Sequence, residues 1–276
     1  LTFAGMARYG PDTWLRNADP FERFFEFLSR FALFTGTREA GLVLRPPAAG
    51  LMGRQSPAAT TAEVTFIIAM LAIVLFDGLQ GSKHWTALED AIHVVHQKLG
   101  DIGWVGVHSA GFLVTWLAFL GLYFAACALA RRAAGSSVTV LGCARVFAPT
   151  LIPIAVGYHF AHTFTYLLVQ GQSLAFLVSD PLGLGWNLFG TGDATGNTAL
   201  ISTKAAWYLA LSAIVSGHAI SVYLAHIAAE QMMDSRRRAL RVLAPMTALM
   251  VLYTIISLQI LAEPLVRYSG PQETII

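Results

Sequence analysis

The stretch Val146–Gln170, VFAPTLIPIAVGYHFAHTFTYLLVQ, is long and apolar enough to cross a bilayer, yet it carries Tyr158, His159, His162, Tyr166 and Gln170. Crossing the hydrocarbon takes about 20 largely apolar residues. At ~100° per residue, His159, His162, Thr163, Tyr166 and Gln170 fall on one helix face. A polar stripe in lipid is costly unless it meets partners inside the protein. The rest of the chain is therefore expected to be arranged around it.

Composition agrees. Of 276 residues 55% are hydrophobic and 12% charged, with mean hydropathy +0.59. Soluble domains carry about 25% charged residues, so the chain reads as an all-α, polytopic integral membrane protein. Five spans are expected, at about 64–79, 105–130, 146–170, 205–228 and 242–265. Residues 1–61 form a cytoplasmic or interfacial segment, and 62–276 a transmembrane helical domain. The opening LTFAGMARYG lacks the pattern of a secretory signal. It reads as the tail of an earlier membrane helix, which predicts that the chain is the C-terminal portion of a longer protein.

Within the first segment, Phe21, Phe24, Phe25, Leu28 and Phe31 recur at helical spacing. This predicts an amphipathic helix, lying in the interface or packed on another part of the protein. Pro149 and Pro153 predict a kink ahead of His159. The loop at 171–204, carrying Asp180 and Asp193, is apolar enough to dip into or cap the membrane face. Residues 1–61, 131–145 and 232–241 hold 14 of the 18 Lys and Arg residues. Alternating five spans puts all three on one side, cytoplasmic by the positive-inside rule, with the C-terminus outside. Cys127 and Cys143 lie in no CxxC motif and read as small buried residues.

Depth then suggests chemistry. His159 and His162 lie midway along the third span and His218 midway along the fourth, so three imidazoles can meet at one level. Asp77 ends the first span on the outer side, and His108 opens the second there. Three imidazoles with an open fourth position suit a catalytic divalent metal, zinc first, copper or iron as alternatives. Such a metal generates hydroxide near neutral pH. Asp77 or Asp180 would then act as further ligand, orienting group or base, with His108 at the mouth.

Two other readings stand beside it. The imidazoles could simply hydrogen-bond to Tyr158, Tyr166 or backbone between helices. Alternatively, His159 or His162 could pair with His218 around haem b, although no second His pair and no CxxCH is present. Glu89, His93 and His96 share a helix face, as a surface metal site or a solvated face. His226 and Glu230 have the spacing of an ordinary i, i+4 pair. No P-loop, GxSxG or GxGxxG pattern occurs, and no basic patch with interleaved aromatics points to nucleic acid.

The segments LTFAGMARYGPDTWLRNADPF, LVLRPPAAGL, FDGLQ, FAPTLIPIAVGYHFAHTFTYLLVQGQ, SDPLGLGWNLFGT and VYLAHIAAE resemble, in that order, a family of bacterial membrane proteins known as fenitrothion hydrolases. The resemblance covers most of the chain, is most specific over 147–191, and is weakest over 82–104. It implies a bacterial inner-membrane enzyme that hydrolyses an organophosphorothioate ester. It brings no site residues with it. The expected partners are the bilayer and an apolar small-molecule substrate, with no nucleic acid. The competing function classes are a transporter or channel with a His relay and a haem-binding redox subunit.

Overall fold

Thr60 and Glu63 set the start of the first long apolar helix. The Glu63 N–H donates to the Thr60 hydroxyl at 3.2 Å, and the Thr60 N–H donates to the Glu63 carboxylate at 2.7 Å. This reciprocal box satisfies donors that a helix N-terminus otherwise leaves open. The computed structural model describes residues 2–37, 41–51, 59–135, 138–191 and 200–268, without the side chains of 37, 95, 96, 203 and 261–268.

Short helices α1 (Thr2–Tyr9), α2 (Pro11–Asn17) and α3 (Pro20–Ser29) come first, followed by a small antiparallel hairpin of β1 (Phe34–Thr37) and β2 (Gly41–Leu44). Then follow α4 (Thr61–Gln80), α5 (Lys83–Ala91), α6 (His93–Ala134), α7 (Val140–Phe147), α8 (Ile152–Gln170), α9 (Ser173–Ser179), α10 (Thr203–Met232) and α11 (Arg236–Tyr268). Five segments are long and apolar enough to cross a membrane: Thr61–Gln80, Gln97–Ala134, Val140–Gln170, Lys204–Met232 and Arg236–Ile260. The chain is thus a helical, multi-pass membrane protein. The hairpin is the one departure from helix and turn among the described residues.

Side-chain caps set the starts of several helices ahead of the apolar windows read from sequence. Thr139 starts α7 by accepting from the Gly142 N–H at 2.9 Å. Pro149 and Pro153, which have no N–H to donate, turn the expected kink into a 3₁₀ turn at Ala148–Leu151 between α7 and α8.

The third span occupies the centre. Of its most apolar window 67% is buried, against 22% for the second span. It meets α10 at a glycine crossing. A Cβ built on Gly157 would stand 2.5 Å from the Ala213 carbonyl oxygen, and one on Gly217 would stand 2.5 Å from that of Pro153. Small residues let membrane helices approach to backbone contact. Tyrosine and tryptophan tie the other spans together through backbone carbonyls. Trp116 donates to Thr65 O at 3.1 Å, Tyr123 to Ala144 O at 2.7 Å and Tyr253 to Phe119 O at 3.3 Å.

The amphipathic helix α3 packs one side on the bundle and leaves Phe21 and Phe25 exposed. Arg30 reaches Glu63 at 3.5 Å, Phe27 stacks near Phe66 with ring centroids 5.9 Å apart, and Phe24 sits edge-on to His159 at 4.8 Å. The helix therefore runs alongside α4 from its first turn towards its middle. Its N-terminus is closed by Asp19, whose carboxylate accepts from the N–H groups of Phe21 and Glu22, both at 3.0 Å. On the same end of the bundle, Ala59 N donates to Arg145 O and the Arg145 guanidinium to the Thr61 hydroxyl, each at 3.0 Å. The end of the first segment and the start of the third span thus share one face, as alternating spans require. Cys127 and Cys143 are free and buried.

Candidate functional site

Asp77 sits in the last turn of α4, and His162 lies midway along α8. Their side chains meet: His162 Nε2 is in ion-pair contact with Asp77 Oδ2. Gly78 brings α11 close beside them, because any Cβ there would strike Ile260. The pair opens into a cavity of about 270 Å³ whose other walls include Tyr158, Ile214, Ser257 and Ile260. Both partners are about half exposed, 53% for His162 and 52% for Asp77, so a small molecule can reach them. A nitrogen facing a carboxylate oxygen carries the hydrogen, so Nε2 is the donor and the neutral ring keeps its lone pair on Nδ1.

The two other imidazoles have different neighbours. His218 is buried, and its Nδ1 lies 2.9 Å from the Ile214 carbonyl oxygen. That contact puts the hydrogen on Nδ1. Nε2 is buried without a partner, and the ring stands edge-on to Tyr158 at 6.0 Å. His159 lies against Phe24 and lines a separate, almost wholly apolar cavity with Phe66, Met70 and Phe112. Its Nε2 is likewise buried and unpartnered.

This geometry tests the metal. A catalytic zinc needs three protein ligands and an open position. Among the described residues no group of three His, Cys, Asp or Glu side chains could hold an ion. The expected set of His159, His162, His218 and Asp77 reduces to the His162–Asp77 pair, and two donors do not fit zinc, copper or iron. Of the rings expected to pair around haem b, His159 is set against Phe24 and His218 against Tyr158.

His108, expected at the mouth beside Asp77, is held elsewhere. Its Nδ1 lies 3.0 Å from Trp104 O, its Nε2 3.3 Å from Glu89, and its ring stacks on Trp104 at 4.0 Å. Glu89 also accepts from the Trp85 indole at 2.9 Å. Glu89 lies on α5 whereas His93, which is exposed, opens α6, so the helix face expected to carry both is broken at Ile92. The His96 side chain and Asp193 lie outside the described residues. His226 and Glu230 form the expected i, i+4 pair at 3.2 Å.

Asp180 has a structural task. Its two carboxylate oxygens accept from the N–H groups of Leu184 and Gly185, each at 2.8 Å. None of the described residues of 171–191 lines the His162–Asp77 cavity. Asp180→Ala removes the acceptor of both N–H groups, which belong to exposed residues and can turn to water, so the 180–185 turn loosens with little loss of global stability. The expected outcome is faster limited proteolysis within 181–190, with Asp77 and His162 unaffected.

No family model, curated protein or solved structure matches the chain. The site therefore stands on its own geometry. Sequence reasoning missed the cavity roles of Tyr158 and Ser257. Tyr158 was within reach of it, because it precedes His162 by four residues and so shares its face.

Proposed function

We propose that this chain carries a membrane-embedded hydrolase site for an apolar ester, an organophosphorus triester in particular, with His162 and Asp77 as its working pair. The observation that carries this reading is the contact of His162 Nε2 with the Asp77 carboxylate at an apolar cavity. A carboxylate on one ring nitrogen fixes the tautomer and stabilises the imidazolium that forms when the other nitrogen takes a proton. Nδ1 removes a proton from water as the water oxygen bonds to phosphorus. The leaving oxygen departs with its bonding pair and takes that proton back. No step passes through a metal.

The cavity suits the substrate class. About 270 Å³ lies just under the usual ligand-pocket range of about 300–1,000 Å³, and the apolar lining accepts a molecule that partitions from lipid. The hydrolase family resemblance points to the same chemistry. With the basic segments in the cytoplasm of a bacterial cell, the Asp77 end of α4 faces outward from the inner membrane.

A proton-relay transporter is the second reading. It is favoured by Tyr158 Oη, His218 Nε2 and Ser221 Oγ, which are buried without partners along α8 and α10, since intramembrane groups of this kind mark proton paths. The test uses purified protein in mild detergent and a neutral p-nitrophenyl phosphotriester. The expected result is nitrophenol release that survives chelation and disappears in His162→Ala. Turnover that chelation abolishes overturns the metal-free mechanism. No turnover, together with proton-driven uptake into vesicles, replaces hydrolysis by transport.

A further inference from the structure

Tyr158 and His162 lie four residues apart on α8 and line the same cavity. The Tyr158 hydroxyl is buried and has no hydrogen-bond partner among the described residues. Buried hydroxyls are nearly always satisfied, and one that is not calls for an explanation.

The other polar groups of the cavity wall are already committed. The Ser257 hydroxyl donates to the Tyr253 carbonyl at 2.6 Å. The hydrogen on His162 Nε2 faces Asp77, and a carboxylate can only accept. Among the described side chains of this cavity, Tyr158 alone has an uncommitted donor. A neighbouring void, bounded in part by Leu75, Tyr158 and Ser257, measures about 10 Å³. That is room for one water at most, which is the competing partner for the hydroxyl; any larger partner has to come from the cavity and uncover the hydroxyl as it binds.

We infer that the Tyr158 hydroxyl is the donor that receives the phosphoryl or carbonyl oxygen of a molecule bound against His162 and Asp77. The inference rests on the cavity assigned above but needs no turnover. It also sets the charge of the ligand. The Asp77 carboxylate repels anions, whereas a neutral molecule with one strong acceptor oxygen and apolar arms satisfies both the hydroxyl and the walls. A triester is such a molecule; a phosphate monoester or diester is not.

Triethylphosphine oxide is a suitable probe, because it is neutral, resists hydrolysis and reports hydrogen bonding through its ³¹P shift. With the full chain in detergent, the bound signal is expected to move downfield. In Tyr158→Phe that displacement should vanish and binding weaken by about threefold to tenfold, the value of one neutral hydrogen bond. The thermal midpoint of Tyr158→Phe should not fall, since its hydroxyl has no protein partner to lose. Ser257→Ala should keep the parent shift. Equal shift and affinity in parent and Tyr158→Phe overturns the inference, as does a loss confined to Ser257→Ala. A Tyr158-dependent shift without triester turnover rejects hydrolysis and keeps the donor assignment; His162-dependent turnover without that shift does the reverse.

Discussion

Gly217→Val is expected to force α8 and α10 apart and lower the thermal unfolding midpoint by more than any exposed substitution. A Cβ at this position would stand 2.5 Å from the Pro153 carbonyl oxygen, and Gly157 has the mirror relation to Ala213. The obstructing atoms are backbone, which cannot rotate aside as a side chain can. Overpacking of this kind costs about 1–3 kcal/mol, and the upper end is expected where two helices touch through their main chains. The site should suffer with the fold, because α8 carries Tyr158 and His162 while α10 contributes Ile214 to the same cavity. Gly106→Ala in α6 is the control. Nothing lies within 4 Å of a Cβ there, and replacing a helical Gly by Ala gains up to ~1 kcal/mol. Midpoints measured in one detergent for the two variants should therefore move in opposite directions.

The second large effect concerns the chemistry. His162→Ala removes the proposed base, and Asp77→Asn removes the charge that supports the imidazolium. General-base catalysis contributes about 10²- to 10⁴-fold, so each substitution should lower triester turnover within that range. Both side chains are about half exposed, so neither replacement opens a buried cavity and the folded fraction should hold. A fall in turnover with an unchanged unfolding midpoint is the expected signature.

Much of the architecture was legible because spanning a bilayer leaves the backbone few options. Sustained apolar length located all five spans, and Pro149 with Pro153 located the break before α8. What sequence could not supply was azimuth. Position along a span sets height, and on that basis His159, His162 and His218 share a level. Residues three apart on a helix, however, stand about 60° apart around its axis. That angle lets His159 meet Phe24 while His162 meets Asp77. Asp77 lies in the last turn of α4.

The two other misassignments have local causes. Asp180 is followed by PLGLG, and a short carboxylate ahead of such a turn folds back onto the turn's N–H groups. His108 is claimed by Glu89, which Trp85, four residues earlier on α5, also binds. The helix α3 could not be assigned to interface or packing from its Phe spacing, because both environments present the same apolar face. The Arg30–Glu63 contact shows one side of α3 packed on α4, and it joins residues whose proximity no local pattern encodes; Phe21 and Phe25 stay exposed, as on a helix at an interface.

The most direct test of the His162–Asp77 assignment is a double-mutant cycle on phosphotriester turnover, comparing the parent, His162→Ala, Asp77→Asn and the combined variant. Groups that work as one unit lose their contribution once. Each single variant should fall by about 10²-fold or more, and the combined variant should fall no further than the worse of the two. Parent-level turnover in either single variant, or losses that multiply in the combination, contradicts a catalytic pair.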